Sequence, residues 1–482
     1  MFQMTRRQFF QLILLYIIAH GGILFIANAV YWDDWTIFNT NAAQIIDQFK
    51  QSGLVGVGYF HVAMLSVGPW FYKLAAFVLS FFTGLFVWKI VNKQAWLNQA
   101  QSYYITLFFL ITPCVAARVA LIDFPYLVSV FFFFWAWSMM DRHRILSLVL
   151  FFLSFTTQSL LVFYALPILD WYCRDVNAVS LNKLMKWACA KLDFLLIPFV
   201  WFCVKIVYFK PYGIYSDYNN HYSLKSLLVG PVLMLIDFIQ LNINLAWTIL
   251  LCIAILFVDV LPQPEFSTTQ RKILYSSLLA LFFGLFPYLI LGYVPTFDEW
   301  TSRHQLLMPL GLSLFFVWLI GLSKIDGNRK IYIALLISVS LVINIKNYTA
   351  LFLDNQKQQA LIEFVRHSSA IKQAPLVIVD DKTTNALNRL YRTYEWSGML
   401  KLALGDQSHY GLYLSEVPNY DAGEFDTQFS AHYNAATHVR KEHTNRVILS
   451  VEKTDMWEIL FHHAPLYKFS EGEYSRGCSV VK

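Results

Sequence analysis

Charge is scarce in this chain. Asp, Glu, Lys and Arg make up 14% of its 482 residues, against 57% hydrophobic and 17% aromatic residues. With a mean hydropathy of +0.48, this balance excludes an ordinary soluble protein and points to a polytopic membrane protein. Cysteine is equally thin. Five of the six (Cys114, Cys173, Cys189, Cys203, Cys252) fall in or beside apolar segments and Cys478 stands alone near the end, so there is no disulfide framework and no metal spacing. A glycine-rich phosphate loop and a serine nucleophile elbow are also missing. His432, His438, His443, His462 and His463 of the tail lack the acidic support and spacing that zinc requires. The formal charge of +6 says little as a sum and does not suggest nucleic-acid binding; in a membrane protein the distribution of Lys and Arg decides.

What is abundant is apolar sequence in long runs. Stretches at roughly 9–30, 70–91, 103–122, 124–140, 192–208, 243–261, 273–291, 305–322 and 331–347 read as spanning helices. The stretch 145–171 is long for one helix and short for two. It reads as two short helices meeting at the polar turn Phe155-Thr156-Thr157-Gln158-Ser159. The total is about eleven spans. Fifteen Lys and Arg residues fall in the loops assigned to the inside, and only Lys50, Arg118, Lys210, Lys225 and Arg303 in those assigned outside. That asymmetry puts the N-terminus in the cytoplasm and the C-terminus outside. Arg6-Arg7 anchors the first helix inside; a twin-arginine export signal with a cleavage site at Ala27-Asn28-Ala29 is the alternative reading.

Two units follow, a transmembrane region over 1–347 and an outer domain over 348–482. Interfacial helices are expected in 33–69, and 226–239 is apolar enough to lie in the interface. In the tail, Leu376-Val377-Ile378-Val379 and Val447 to Val451 read as buried strands, with helices at 356–372 and 384–404. The expected result is a small α/β or α+β domain.

Against this apolar background a few charged groups stand out. Asp33 and Asp34, in Tyr31-Trp32-Asp33-Asp34-Trp35, lie where the first helix leaves the bilayer, a place where charge is costly and marks function. Either could act as general base toward a hydroxyl. Asp34 also suits a helix N-cap. Trp32 and Trp35 read either as interfacial aromatics or as a sugar-stacking pair. On the same face, Asp298-Glu299-Trp300-Thr301-Ser302-Arg303-His304 opens a helix. Arg303 there could hold a phosphate, with His304 beside it, or pair with Asp298 or Glu299. Arg118 and Asp123, at another outer junction, could pair with each other or join the site, Asp123 as a second carboxylate. Gln158 of the polar turn is an uncharged donor at the same level.

This set resembles the GT-C class of integral-membrane glycosyltransferases: an acidic pair after the first helix, short paired helices with a polar outer turn, an Arg opening a late helix, and an outer C-terminal domain. The Asp-Asp-Trp version is similar to bacterial glucosyltransferases that modify O-antigen. One departure is Gln158, where several members of the class carry Lys. The resemblance implies a polyprenyl-phosphate sugar donor, a cell-surface or lipid-linked glycan as acceptor, inversion at the anomeric carbon, and the inner membrane as location. It implies Asp33 or Asp34 as base and Arg303 at the departing phosphate. Metal dependence differs across the class, and no other cofactor is implied. The competing functions are a flippase or transporter of lipid-linked saccharides and an outer-surface glycan polymerase.

Overall fold

The computed structural model describes residues 4–175, 181–216, 222–241, 243–258, 270–297, 300–383, 390–405, 409–422, 445–455, 458–459 and 464–474. The protein is mainly helical, with one small sheet near its C-terminus. Three helices are long and apolar enough to cross a membrane by themselves: Pro69–Val91, Gln270–Leu289 and Asp326–His367. Apolar faces turned outward, among them Phe199, Val207, Leu228 and Leu235, add to the case for membrane association.

The other apolar runs form shorter helices, so the eleven expected spans do not appear as eleven long helices. The reasons are local. The run 103–122 stops as helix Gln99–Ile111, because Thr112 precedes Pro113 and turns extended. The run 9–30 gives Arg6–His20, then a separate turn from Gly22. The stretch 145–171 divides into Arg144–Ser154, Ser159–Phe163 and Ala165–Asp175 around the polar turn. The segment from 305 gives Met308–Gly321.

Two antipodal polar ends organise the helices. Helix Pro69–Val91 carries Lys73 near its start and ends just before Lys93, which bonds Asp141 at 2.9 Å. Asp141 also binds Arg174, and Arg174 reaches Asp170. Twenty-three residues of helix separate these ends by about 34 Å, close to a bilayer's apolar thickness. Helix Phe124–Met139 runs between the same two ends, starting beside Asp123 and stopping before Asp141.

The sheet has the order β2-β1-β3-β4, with β1 (Leu376–Asp381) parallel to both β2 (Tyr410–Tyr413) and β3 (Arg446–Lys453). Strand β4 (Tyr467–Glu473) closes the edge antiparallel to β3. The central strand β1 buries Leu376 to Val379 without interruption, as a strand covered on both faces must. In β3 the alternate residues Val447, Leu449 and Val451 face inward. Helix Thr393–Leu404 connects towards β2; part of the helix expected over 384–404 lies outside the described residues.

The expected domain boundary at 347/348 falls inside helix Asp326–His367, which runs on unbroken into the C-terminal domain. One apolar cluster joins Trp32, Trp35, Leu121 and Phe124 to Leu361, Val377, Trp396 and Leu449. The tail is thus packed onto the turns at 32–36 and 116–124, not hung from a linker.

A buried ion pair supports this junction. Lys357 donates to Asp381 at 2.7 Å and to Thr383 at 2.6 Å, and both charged side chains are nearly inaccessible. Asp381→Ala leaves the Lys357 ammonium buried and unpaired, so we expect a loss of about 3–5 kcal/mol. A thermal melt in detergent checks this, and combining Asp381→Leu with Lys357→Met recovers most of the loss.

Candidate functional site

The acidic pair sits in a short 3-10 turn, Trp32–Thr36, whose first residue has φ 49°. A tryptophan in the left-handed region is strained by about 1–3 kcal/mol. The turn separates its two aspartates into different environments. Asp34 is fully buried; it accepts the backbone N–H of Tyr31 at 3.1 Å and that of Ile122 at 2.9 Å. Burial pushes its carboxyl up to about 6, opposed by the Lys73 ammonium and by backbone N–H groups at Leu121, Ile122 and Tyr31. Asp33 is half-buried and accepts a hydrogen bond from the Tyr394 hydroxyl of the C-terminal domain.

The Asp34 to Ile122 bond brings the next residue, Asp123, into the same region. Both Asp123 carboxyl oxygens are buried with no hydrogen-bond partner. Its carboxyl is held well above the ordinary range, chiefly by burial. Arg303 pulls it down, and Asp34 and Asp33 push it further up.

Arg303 is placed by a second 3-10 turn, Trp300–Gln305. Ser302 accepts the Ala117 N–H at 2.9 Å and Gln305 accepts the Val115 N–H at 3.1 Å, so this turn is laced to Ala116–Val119. Val115 itself adopts φ 60°, a strained state for a β-branched residue. The Arg303 guanidinium lies over the Trp300 ring at 4.3 Å, and Trp300 packs on Trp32 with ring centres 5.3 Å apart. The two turns are therefore in direct contact, and Asp33, Asp34, Asp123 and Arg303 form one electrostatic cluster.

His304 supports the guanidinium. Arg303 Nε donates to His304 Nε2 at 3.4 Å, and the imidazole stacks on Tyr293. Burial and the adjacent Arg303 lower His304 to about 3, so it stays neutral and contributes no charge toward an anion.

The other sequence candidates are placed differently. Trp32 and Trp35 are almost fully buried, Trp32 between Tyr31 and Trp300 and Trp35 against Phe38 and Gly398. Both rings serve as core, and neither offers an open face to a sugar. Arg118 turns away from Arg303: it donates to the carbonyls of Val115 and Cys114 and lies 3.5 Å from His20. Gln158 is exposed, while its neighbour Ser159 bonds the Tyr288 hydroxyl at 2.9 Å. Asp298, Glu299 and the tail histidines lie outside the described residues.

Three groups joined the cluster that sequence reasoning had not placed there. Lys73, one of the few charges in an apolar helix, is buried with its ammonium 5.2 Å from the Tyr31 ring centre and bonded to the Val119 carbonyl. Tyr288 interacts electrostatically with both Asp123 and Arg303. Tyr394 arrives from a residue 361 positions away, with no local sequence signal. Among the described residues, no group of three or more His, Cys, Asp or Glu side chains is arranged to hold a metal ion.

No protein-family model, curated protein or solved structure matches the chain. The chemistry of the cluster therefore stands on its own geometry: one half-buried carboxylate, one buried carboxyl bonded to backbone N–H groups, one buried carboxyl with no hydrogen-bond partner, and an arginine beside a histidine.

The raised carboxyls fix a sign for stability. The folded state holds these protons more tightly than the unfolded chain, so their contribution is full below the ordinary value of 3.8 and is lost as pH rises. Asp34 completes its loss by about pH 6, and Asp123 adds a loss of the same sign above its ordinary range. In Asp123→Asn the fall in melting temperature as pH rises above about 4 should be visibly shallower than in the wild type.

Proposed function

We propose that this chain is an integral-membrane glycosyltransferase of the GT-C kind, moving a sugar from a polyprenyl-phosphate donor to a cell-surface or lipid-linked glycan. The observation that carries the reading is the convergence of Asp33 and Arg303. Two turns nearly 270 residues apart in sequence pack through Trp32 on Trp300, and Asp123 feels the charge of both residues.

Each group has a role in this reaction. The acceptor hydroxyl oxygen attacks the anomeric carbon from the face opposite the phosphate, giving inversion. Its proton passes to Asp33, the half-exposed carboxylate. The bond from the anomeric carbon to the phosphate oxygen breaks through a transition state of oxocarbenium character. The electron pair leaves with the phosphate, whose charge Arg303 stabilises. Asp34 is engaged by two backbone N–H groups, which leaves Asp33 as the base, and burial disfavours a charge on Asp123 that would compete with the phosphate for Arg303. The polyprenyl tail would lie along the apolar helices, with the short ones pairing to complete an eleven-span inner-membrane topology. The N-terminus would then be cytoplasmic and the C-terminal domain periplasmic.

The test is sugar transfer from a polyprenyl-phosphate donor in membranes. Asp33→Asn should reduce turnover by about 10²- to 10⁴-fold, and Arg303→Ala by about 10²- to 10³-fold. Undiminished transfer by Asp33→Asn would remove the base assignment.

A further inference from the structure

Helix Thr393–Leu404 of the C-terminal domain touches the acidic turn through a polar contact and an apolar contact. The Tyr394 hydroxyl donates to Asp33 Oδ1. One turn further on, Gly398 lies against the Trp35 ring: a Cβ at this position would come within 2.7 Å of Trp35 Cε3. Gly398 is therefore a contact that only glycine fits, and it sets how closely the helix seats on the turn. The helix is itself tightly held. Its start is capped by Glu395, which accepts the Arg392 N–H at 2.8 Å, and Trp396 is buried under β2 beside Tyr391. Tyr391 in turn bonds Asp354 on helix Asp326–His367.

We propose that the C-terminal domain completes the catalytic site, with Tyr394 as a positioning residue that orients the Asp33 carboxylate and sets its basicity. This rests on the reading of Asp33 as general base. A phenol O–H directed at a carboxylate favours the charged form and fixes which oxygen lone pairs remain aimed at an incoming hydroxyl. Around Asp33 lie other ionisable groups: Asp33, Asp34 and Arg303 all act on Asp123, and Lys73 acts on Asp34. Without the phenol, the Asp33 carboxylate loses a stabilising contact. Through Tyr394 the domain thus acts on the chemistry of a residue 361 positions earlier in the chain.

The experiment compares pH–rate profiles of wild type, Tyr394→Phe, Gly398→Ala and Asp33→Asn in the full-length chain, using the same polyprenyl-phosphate sugar. Tyr394→Phe deletes the bond without changing the ring. Its kcat should fall by about tenfold with the donor KM little changed, and the acid limb of its profile should move up by about one pH unit. Gly398→Ala keeps the phenol but displaces the helix, and its acid limb should move the same way. A role confined to folding would lower yield or melting temperature and leave the limb in place. If Asp33→Asn abolishes transfer while the profiles of both other variants superimpose on the wild type, the positioning role is wrong and the base assignment stands. If Asp33→Asn transfers sugar normally, both fall.

Discussion

An ionised carboxylate inside a protein has to be given the hydrogen bonds it lost with water, and Asp34 obtains them from the backbone at Tyr31 and Ile122, with Lys73 balancing its charge. The bond to Ile122 closes a loop of 88 residues. Because it lands one residue before Asp123, a single buried anion fixes two other acids at once: its chain neighbour on one side and the residue after its partner on the other. Lys73 makes the arrangement possible. Its ammonium enters from the start of a long apolar helix and bonds the Val119 carbonyl, so the same cation both neutralises Asp34 and ties down the segment that Asp34 grips. Breaking such a set by removing one member costs more than the set contributes as a whole, since the remaining charge stays buried.

Three aspartates within one cluster end in three conditions, and the difference lies in their surroundings. Asp34 has N–H donors and a cation, so it can be charged in a dry place. Asp123 has burial and two acidic neighbours against one arginine, so its carboxyl is held well above the ordinary range. Asp33 has partial access to solvent and a phenol donor among its partners. Environments that push like groups apart are how a site obtains separate acid and base functions from one residue type. The arginine is treated similarly: a neutral His304 orients it without competing for the anion it would bind.

Much of this was legible because charge is rare here. Asp33, Asp34, Asp123 and Arg303 stood out against an apolar background, and the structure brings them into one electrostatic cluster. The two buried strands around Val377 and Leu449 were equally plain, since β-branched runs bounded by polar residues have few other uses. Helix lengths were not legible. Hydropathy averages over a window, whereas a single X-Pro step at Thr112-Pro113, or a polar turn at 155–158, decides where a helix stops. The aromatic pair misled for a related reason: Trp32 and Trp35 have the composition of a sugar platform, but orientation depends on Trp300 and Gly398, which approach from far along the chain. Lys73 carried no sequence signal of its partners, Asp34 and the Val119 carbonyl, which approach it from other parts of the chain.

Helix Asp326–His367 explains why a domain outside the apolar region can take part in the site at all. Its 42 residues extend about 63 Å, roughly twice the apolar thickness of a bilayer. One half packs among the membrane-type helices through residues such as Ile333 and Ile337, while the other carries Leu361 and Val365 into the core under the sheet. Between them, the Leu351 carbonyl accepts the Tyr31 hydroxyl at 2.8 Å, tying the acidic turn to the midpoint of this rod. The turn is therefore held to the rod directly at Tyr31 and through the C-terminal domain at Tyr394. A carboxylate held from two sides of one rigid element keeps its orientation when surrounding helices shift, which is the condition that the proposed proton abstraction would require.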